Sequence, residues 1–306
     1  MKMDVLDHPG IQPGIQPPEQ PEIETTKELP DSPEKQQADK IYAVLTRNEI
    51  RREYPPAQAE IKKSLLECLE KKEPVELVIV WGGFKNTEKG RADQADELTL
   101  DSAKKTVDAL EQLGVKVEPF IYFSNLHAIS PYFGRDISFV KKSENYAQDM
   151  KEMAEQRDFQ FISLSSAIYG ISQYELEKSL KGEPGYKSFY IHDPKIKERF
   201  MFKGRSFWDK ASEQTKQEIM QAASKYCSEE AIQKEGLENL AILYAGSRLH
   251  EKEWLEEIHR NGVFMSYGRP NYEIQPENTI ACHSVKRGIS KQPWLIDAEK
   301  ELKKPE

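Results

Sequence analysis

The stretch that most restricts what this chain can become is residues 75–101, VELVIVWGGFKNTEKGRADQADELTLD. Val75, Leu77, Val78, Ile79 and Val80 form a β-branched, nearly unbroken apolar run. A strand of that composition must be covered on both faces, as strands of parallel sheets are. Gly82 and Gly83 end the run, since glycine lets the backbone turn tightly or approach a ligand closely. Ala92, Ala95, Leu98, Val107 and Leu110 then recur mostly at steps of three or four residues, the period of an amphipathic helix. Open α/β sheets place ligands in the loops at the carboxyl ends of such strands.

The pattern repeats downstream. Gly114 supplies a helix stop, and VKVEPFIYF (115–123) reads as a second strand. Pro119 removes a ladder donor there, which predicts an edge strand or a bulge. A helix over 142–156 and a third strand, FQFISLSS (159–166), follow. Strand, helix, strand, helix, strand is the signature of a Rossmann-like α/β fold: a mostly parallel sheet with helices on both faces. Upstream, Ile41, Val44 and Leu45 predict one helix, broken by Pro55-Pro56, and Ile61, Leu65 and Leu69 predict another. Past Tyr169 the chain reads as mainly helical over 173–260, with FKGRSFWDK (202–210) as a loop before helices at 211–226 and 249–260. VFMSYG (263–268) and NTIACHSV (278–285) read as two strands, candidates for an antiparallel pair, so the helical C-terminal half is predicted to end in a β-hairpin.

Residues 1–37, with GIQPGIQPPEQPEIE and ELPDSPEKQQ, are too poor in apolar side chains to offset the entropy of ordering and are expected to form a disordered, proline-rich tail. It is either a passive extension or a segment for a protein partner. The rest is expected to form one domain over 38–298, with 173–298 covering part of the site. No apolar run approaches the roughly 20 residues of a membrane helix, and MKMDVLDHPG lacks the basic-then-apolar layout of a signal peptide. The net charge of −8 argues against broad nucleic-acid binding. Three scattered cysteines, Cys68, Cys227 and Cys282, give neither a disulfide framework nor a zinc pattern. A cytoplasmic setting is the expectation.

Four clusters could carry chemistry. In Trp81-Gly82-Gly83-Phe84-Lys85-Asn86, freed backbone amides and Lys85 can hold a phosphate or carboxylate, or form a plain turn with an exposed lysine. Asp93, Asp96, Glu97 and Asp101 crowd the start of the next helix, where they either serve acid/base work or stabilise the helix end through its dipole. Lys85, Lys89 and Arg91 precede them, and a cation-plus-carboxylate loop suits the two charged ends of an amino acid. Ser124-Asn125-Leu126-His127 closes the second strand, with His127 either a general base or a loop cap. Ser266, Tyr267, Arg269 and Asn271, with His283, Ser284, Lys286 and Arg287, could close over an anion or form a solvated hairpin. His192, His250, His259 and His283 show no metal-ligand spacing, so no protein-bound metal is expected.

Those residues resemble the isonitrile (isocyanide) synthase family of pyoverdine and dityrosine biosynthesis. That family carries a strand, a loop with a lysine and then a helix of the form PD-x-AE-x-L-x-L. Here Phe84-Lys85-Asn86 and ADQADELTL (92–100) take those places, with Asp93, Ala95, Asp96, Leu98 and Leu100 matching by type. Ser124-Asn125-Leu126 stands where the family has a serine-aspartate-glycine turn, and FMSYGRPN (264–271) and QPWLI (292–296) stand for its C-terminal segments. The resemblance spans about residues 70–295. Ala92 replaces the family's proline, Asn125 replaces its aspartate, and no PWH triplet occurs. It implies condensation of an amino-acid amine with a ketose phosphate, with no metal or redox cofactor. It further implies that Lys85, Asn125, Ser266, Arg269 and Lys286 bind substrate, that Asp93 and Asp96 orient the amine, and that His127 or His283 moves protons. Another Rossmann-like transferase using a nucleotide or sugar phosphate, or a non-catalytic partner-binding protein, are the competing readings.

Overall fold

The computed structural model describes residues 32–47, 51, 55–82, 89–125, 133–134, 137–170, 194–267, 272–282, 284–285 and 295–296. In it the apolar run is strand β1 (Val75–Gly82), flanked in one sheet by β2 (Val117–Ser124), β3 (Gln160–Ser163), β4 (Val263–Ser266) and β5 (Thr279–Ala281). All pairings are parallel, in the order β3-β2-β1-β4-β5. The chain first steps from β1 to β2 and β3, then returns to the other side of β1, so the order reverses between β1 and β4. Crevices at the carboxyl ends of such a reversal are where doubly wound sheets bind ligands.

The helices are α1 (Pro33–Leu45), α2 (Gln58–Lys71), α3 (Gln94–Gln112), α4 (Ile137–Glu155), α5 (Leu164–Tyr169), α6 (Pro194–Trp208), α7 (Glu213–Tyr226), α8 (Glu229–Glu235) and α9 (Leu237–Ile258). Alternation along the strands divides the core into two layers. Leu77, Ile79 and Trp81 of β1, with Ile121 and Phe123 of β2, face α1–α4. Val78 of β1, with Phe120 and Tyr122 of β2, faces α5–α9. Helices thus cover both faces, as an apolar parallel sheet requires. No helix among the described residues is long and apolar enough to cross a membrane.

Several sequence expectations change. The C-terminal strands β4 and β5 are parallel neighbours rather than a hairpin. The connection 267–278, with its short 3₁₀ turn Tyr272–Ile274, carries the chain back to the start of the sheet, which a tight turn cannot do. A further short parallel pair, β6 (Ser284–Val285) and β7 (Leu295–Ile296), lies outside the main sheet. Strand β2 is internal, not an edge, and Pro119 is tolerated because β3 pairs with β2 only from Phe120 onward. The third strand stops at Ser163, and Leu164–Tyr169 turns into helix. Helix α1 starts at Pro33, inside the stretch expected to be tail, with proline suited to a first turn. Residues 1–31 lie outside the described residues.

The expected loop at 202–210 is largely helix α6. Its Gly204 is a packing residue: a Cβ there would lie 2.0 Å from the carbonyl oxygen of Ile242 on α9. Reciprocally, a Cβ on Gly246 would lie 1.9 Å from the carbonyl oxygen of Phe200 on α6. The two helices therefore cross backbone to backbone. Helix α9 also begins at Leu237, well before the expected 249, and Leu240 through Arg248 are all buried.

Two histidines on or just past α9 differ in environment. His259 is buried and bridges Tyr122 (Nε2 to hydroxyl, 2.7 Å) and Glu76 (Nδ1 to carboxylate, 2.9 Å), tying the end of α9 to β2 and β1. Burial and the nearby Glu76 push the Tyr122 phenol up to about 12. His250 rests on the Phe200 ring at 5.6 Å, and burial, then Lys203 and Arg199, depress it to about 4. With its folded value below the unfolded 6.5, His250 gives stability that is complete above pH 6.5 and is lost as pH falls toward about 4. Because the ring is partly solvated, roughly 1–2 kcal/mol is the expected size. His250→Gln should flatten the pH dependence of urea unfolding in that window; an unchanged slope would show that another group titrates there.

Candidate active site

The carboxyl ends of the strands gather polar side chains on both faces of the sheet. On the first face, Trp81 Nε1 donates to the Tyr146 hydroxyl (2.8 Å), which donates to Asp96 Oδ1 (3.1 Å). The other Asp96 oxygen accepts the Asp93 N–H at 3.1 Å. Asp93 caps α3: its Oδ1 accepts the N–H groups of Ala95 (3.0 Å) and Asp96 (3.3 Å), completing a reciprocal capping box. Lys89 Nζ sits 2.8 Å from Asp93 Oδ2. Burial alone would raise the Asp93 carboxyl, but the bonds from Lys89 and from the Asp96 and Ala95 amides outweigh it and hold the group low. Asp96 is 0% exposed, so it acts from within the fold, and Asp93 is the solvent-facing member of the pair. Burial, reinforced by Asp96, drives the Tyr146 phenol well above its ordinary value.

At the end of β2, Asn125 is buried and fixed to the start of α5: Nδ2 donates to Ser165 Oγ (2.9 Å) and Oδ1 accepts the Ser165 N–H (3.1 Å). Ser163 Oγ lies 2.9 Å from the same hydroxyl. A cavity of about 320 Å³ opens beside them, lined also by Glu144, Gln148 and Lys151. Ser266, buried at the end of β4, lies in register with Val80 and Ala281. No hydrogen bond among the described residues joins the Asp93–Asp96 box to Asn125. Lys85, His127, Arg269, His283 and Lys286 lie outside the described residues.

On the second face is a constellation that residue spacing did not single out. Ser124, the last residue of β2, donates to both Glu251 oxygens (3.1 and 3.0 Å) and accepts from Arg248 Nη1 at 2.6 Å. The same Nη1 contacts Glu251 Oε2 directly. Arg248 and Glu251 keep only 10% and 2% of their side-chain surface in solvent. Burial lifts the Glu251 carboxyl, against the pull of Arg248 and Ser124; burial also works against the Arg248 charge, but Glu251 holds the guanidinium protonated. A buried pair of this kind is stable because each charge satisfies the other and the hydroxyl fills a remaining site. Beyond it lies a cavity of about 270 Å³ lined by Tyr226, Tyr244, Arg248 and Gln275, with Glu218 and Lys225 among its other walls. The two tyrosine rings stack at 5.1 Å. The sequence signal was available in LAILYAGSRLHE (240–251): a charged i,i+3 pair closing an apolar run means charges in a buried helix.

No protein-family model and no curated protein matches the chain. Solved structures do match, and the likeness to one of them covers most of both molecules. The fold is shared with the PvcA protein of Pseudomonas aeruginosa. Similarity to PvcA extends over 81% of this chain and 83% of that one, with a TM-score of 0.51 and 14% sequence identity. At that identity the PvcA likeness speaks for the architecture alone.

Proposed function

We propose that this protein is an isonitrile-synthase-like enzyme that condenses an amino-acid amine with a ketose phosphate in specialised-metabolite biosynthesis. The motif resemblance at 92–100, 124–126 and 264–271 and the PvcA-like architecture support the reading from two directions. The observation that carries it is Arg248: a guanidinium fixed by Ser124 at the carboxyl end of β2 and by Glu251, bordering a cavity. A buried cation held in place before any ligand arrives suits an anionic substrate group.

In this reading the amine adds to the ketose carbonyl and water leaves to form an imine; the two carbon–carbon bonds at that carbon then break, releasing formaldehyde from one side and a three-carbon fragment with the phosphate from the other, and the carbon stays on nitrogen as the isonitrile. Asp93 orients the amine from the first face, and the buried Asp96 holds the helix start that positions it. Lys85, Arg269 and Lys286 bind the phosphate. Asn125 and Ser266 hydrogen-bond the sugar, and His127 or His283 moves protons. The test is incubation of the purified protein with amino acids and ribulose 5-phosphate, with mass spectrometry of the products. The expected product is an amino acid whose amine nitrogen carries the sugar-derived isonitrile carbon, labelled when the sugar is labelled. Turnover of a nucleotide instead, or no amino acid consumed with any ketose phosphate, would overturn the reading.

A further inference from the structure

We infer that the cavity between α7, α9 and the Tyr272–Ile274 turn is a binding site for a small zwitterion: a carboxylate on Arg248 and an amine on the side-chain oxygen of Gln275. The inference gives the amino acid of the proposed reaction a place on the second face, with Gln275 meeting the amine there in the role given above to Asp93, and it rests on that reading only for what happens after binding.

Arg248 uses Nη1 for both described contacts, to Ser124 and Glu251. Nε and Nη2 have no partner among the described residues, and Arg248 borders the cavity. One edge of the guanidinium fork therefore remains for a planar two-oxygen group, the geometry in which arginine binds carboxylates best. In the same cavity wall, Gln275 Oε1 is buried without a hydrogen-bond partner. A buried acceptor left unpaired costs about 1–3 kcal/mol, and a ligand N–H would remove that cost. The one cavity thus offers donors to an anion and an acceptor to a donor.

Charge decides between anions. Arg248 is already balanced by Glu251, and the other charged side chains of the lining, Lys225 and Glu218, bring one charge of each sign. A dianionic phosphate would meet two carboxylates with no surplus of positive charge, whereas a molecule neutral overall meets a neutral site. Size agrees: about 270 Å³ lies at the low end for small-molecule pockets. The stacked Tyr226 and Tyr244 rings give an apolar wall, so an amino acid with an aromatic or large aliphatic side chain should bind most tightly.

Calorimetry on the full chain tests this, with the standard amino acids, the matching deaminated acids, the matching decarboxylated amines and ribulose 5-phosphate as titrants. At least one amino acid should bind in the millimolar range or tighter, and its deaminated and decarboxylated counterparts should bind about tenfold more weakly or worse. Gln275→Leu, which leaves the Arg248 pair intact, should weaken the amino acid about tenfold without altering ribulose 5-phosphate binding. Ala222→Trp, placed to fill the cavity, should abolish amino-acid binding while the circular dichroism melt stays that of a folded protein. No binding by any amino acid at millimolar concentration, equal affinity for the deaminated acid, or affinity unchanged in both variants would each overturn the assignment. Binding with these properties but no turnover with ribulose 5-phosphate would uphold the site and overturn the reaction.

Discussion

Glu251→Ala should lower stability by about 3–5 kcal/mol, because it strands the Arg248 guanidinium in the core with Ser124 as its described partner. In a domain of this size each kcal/mol moves the melting temperature by about 2–4 °C, so a fall on the order of 10 °C or more is expected. The double replacement Arg248→Met with Glu251→Leu should recover most of that loss, since two apolar side chains of similar bulk need no counter-charge. The double variant then separates fold from function: it should melt near the wild type yet bind no amino acid. Thermal melts of all three proteins decide the matter. A Glu251→Ala variant melting within a degree or two of wild type would mean that Arg248 is solvated and holds no fixed orientation.

Gly246→Ala is expected to cost about 3 kcal/mol, although alanine is normally the better helix residue by roughly 1 kcal/mol. The added methyl would meet the Phe200 carbonyl at 1.9 Å and the Gly204 nitrogen at 3.0 Å, both backbone atoms of α6. No rotamer change relieves such a contact; the helices must separate. A drop of about 6–12 °C in the melting midpoint should result. A variant as stable as wild type would show that α6 and α9 can slide apart without loss of packing.

Much of the first half was legible because its physics is local. The apolar run at 75–80, the three-to-four-residue period from Ala92 to Leu110 and the glycine at 114 each dictate their element without help from distant residues. The second half was not, because there the same residue types answer to long-range packing. Gly204 looks like a helix breaker until Ile242 is seen pressing its backbone against it. The strands β4 and β5 look like a hairpin until the crossover between them is traced. The candidate site divides in the same way. Asp93 and Asp96 were found by spacing, yet their hydrogen bonds are those of a helix cap, the alternative the sequence left open. The apolar run before Arg248 and Glu251 signals that their charges are buried, but nothing near them in sequence hints that Ser124 lies beside them or that Gln275 shares a cavity with Arg248.

The strand order has a temporal consequence. As the chain leaves the ribosome, β2 can pair with β1 and β3 early, but the other neighbour of β1, beginning at Val263, emerges only after all of α6–α9 has been made. For most of synthesis the central strand therefore presents an open, apolar edge, the kind of edge that recruits strands from other chains. The nascent protein must survive that interval before the arrival of β4 covers that edge, so stalling or cleavage between α9 and β4 would leave a chain poised to aggregate.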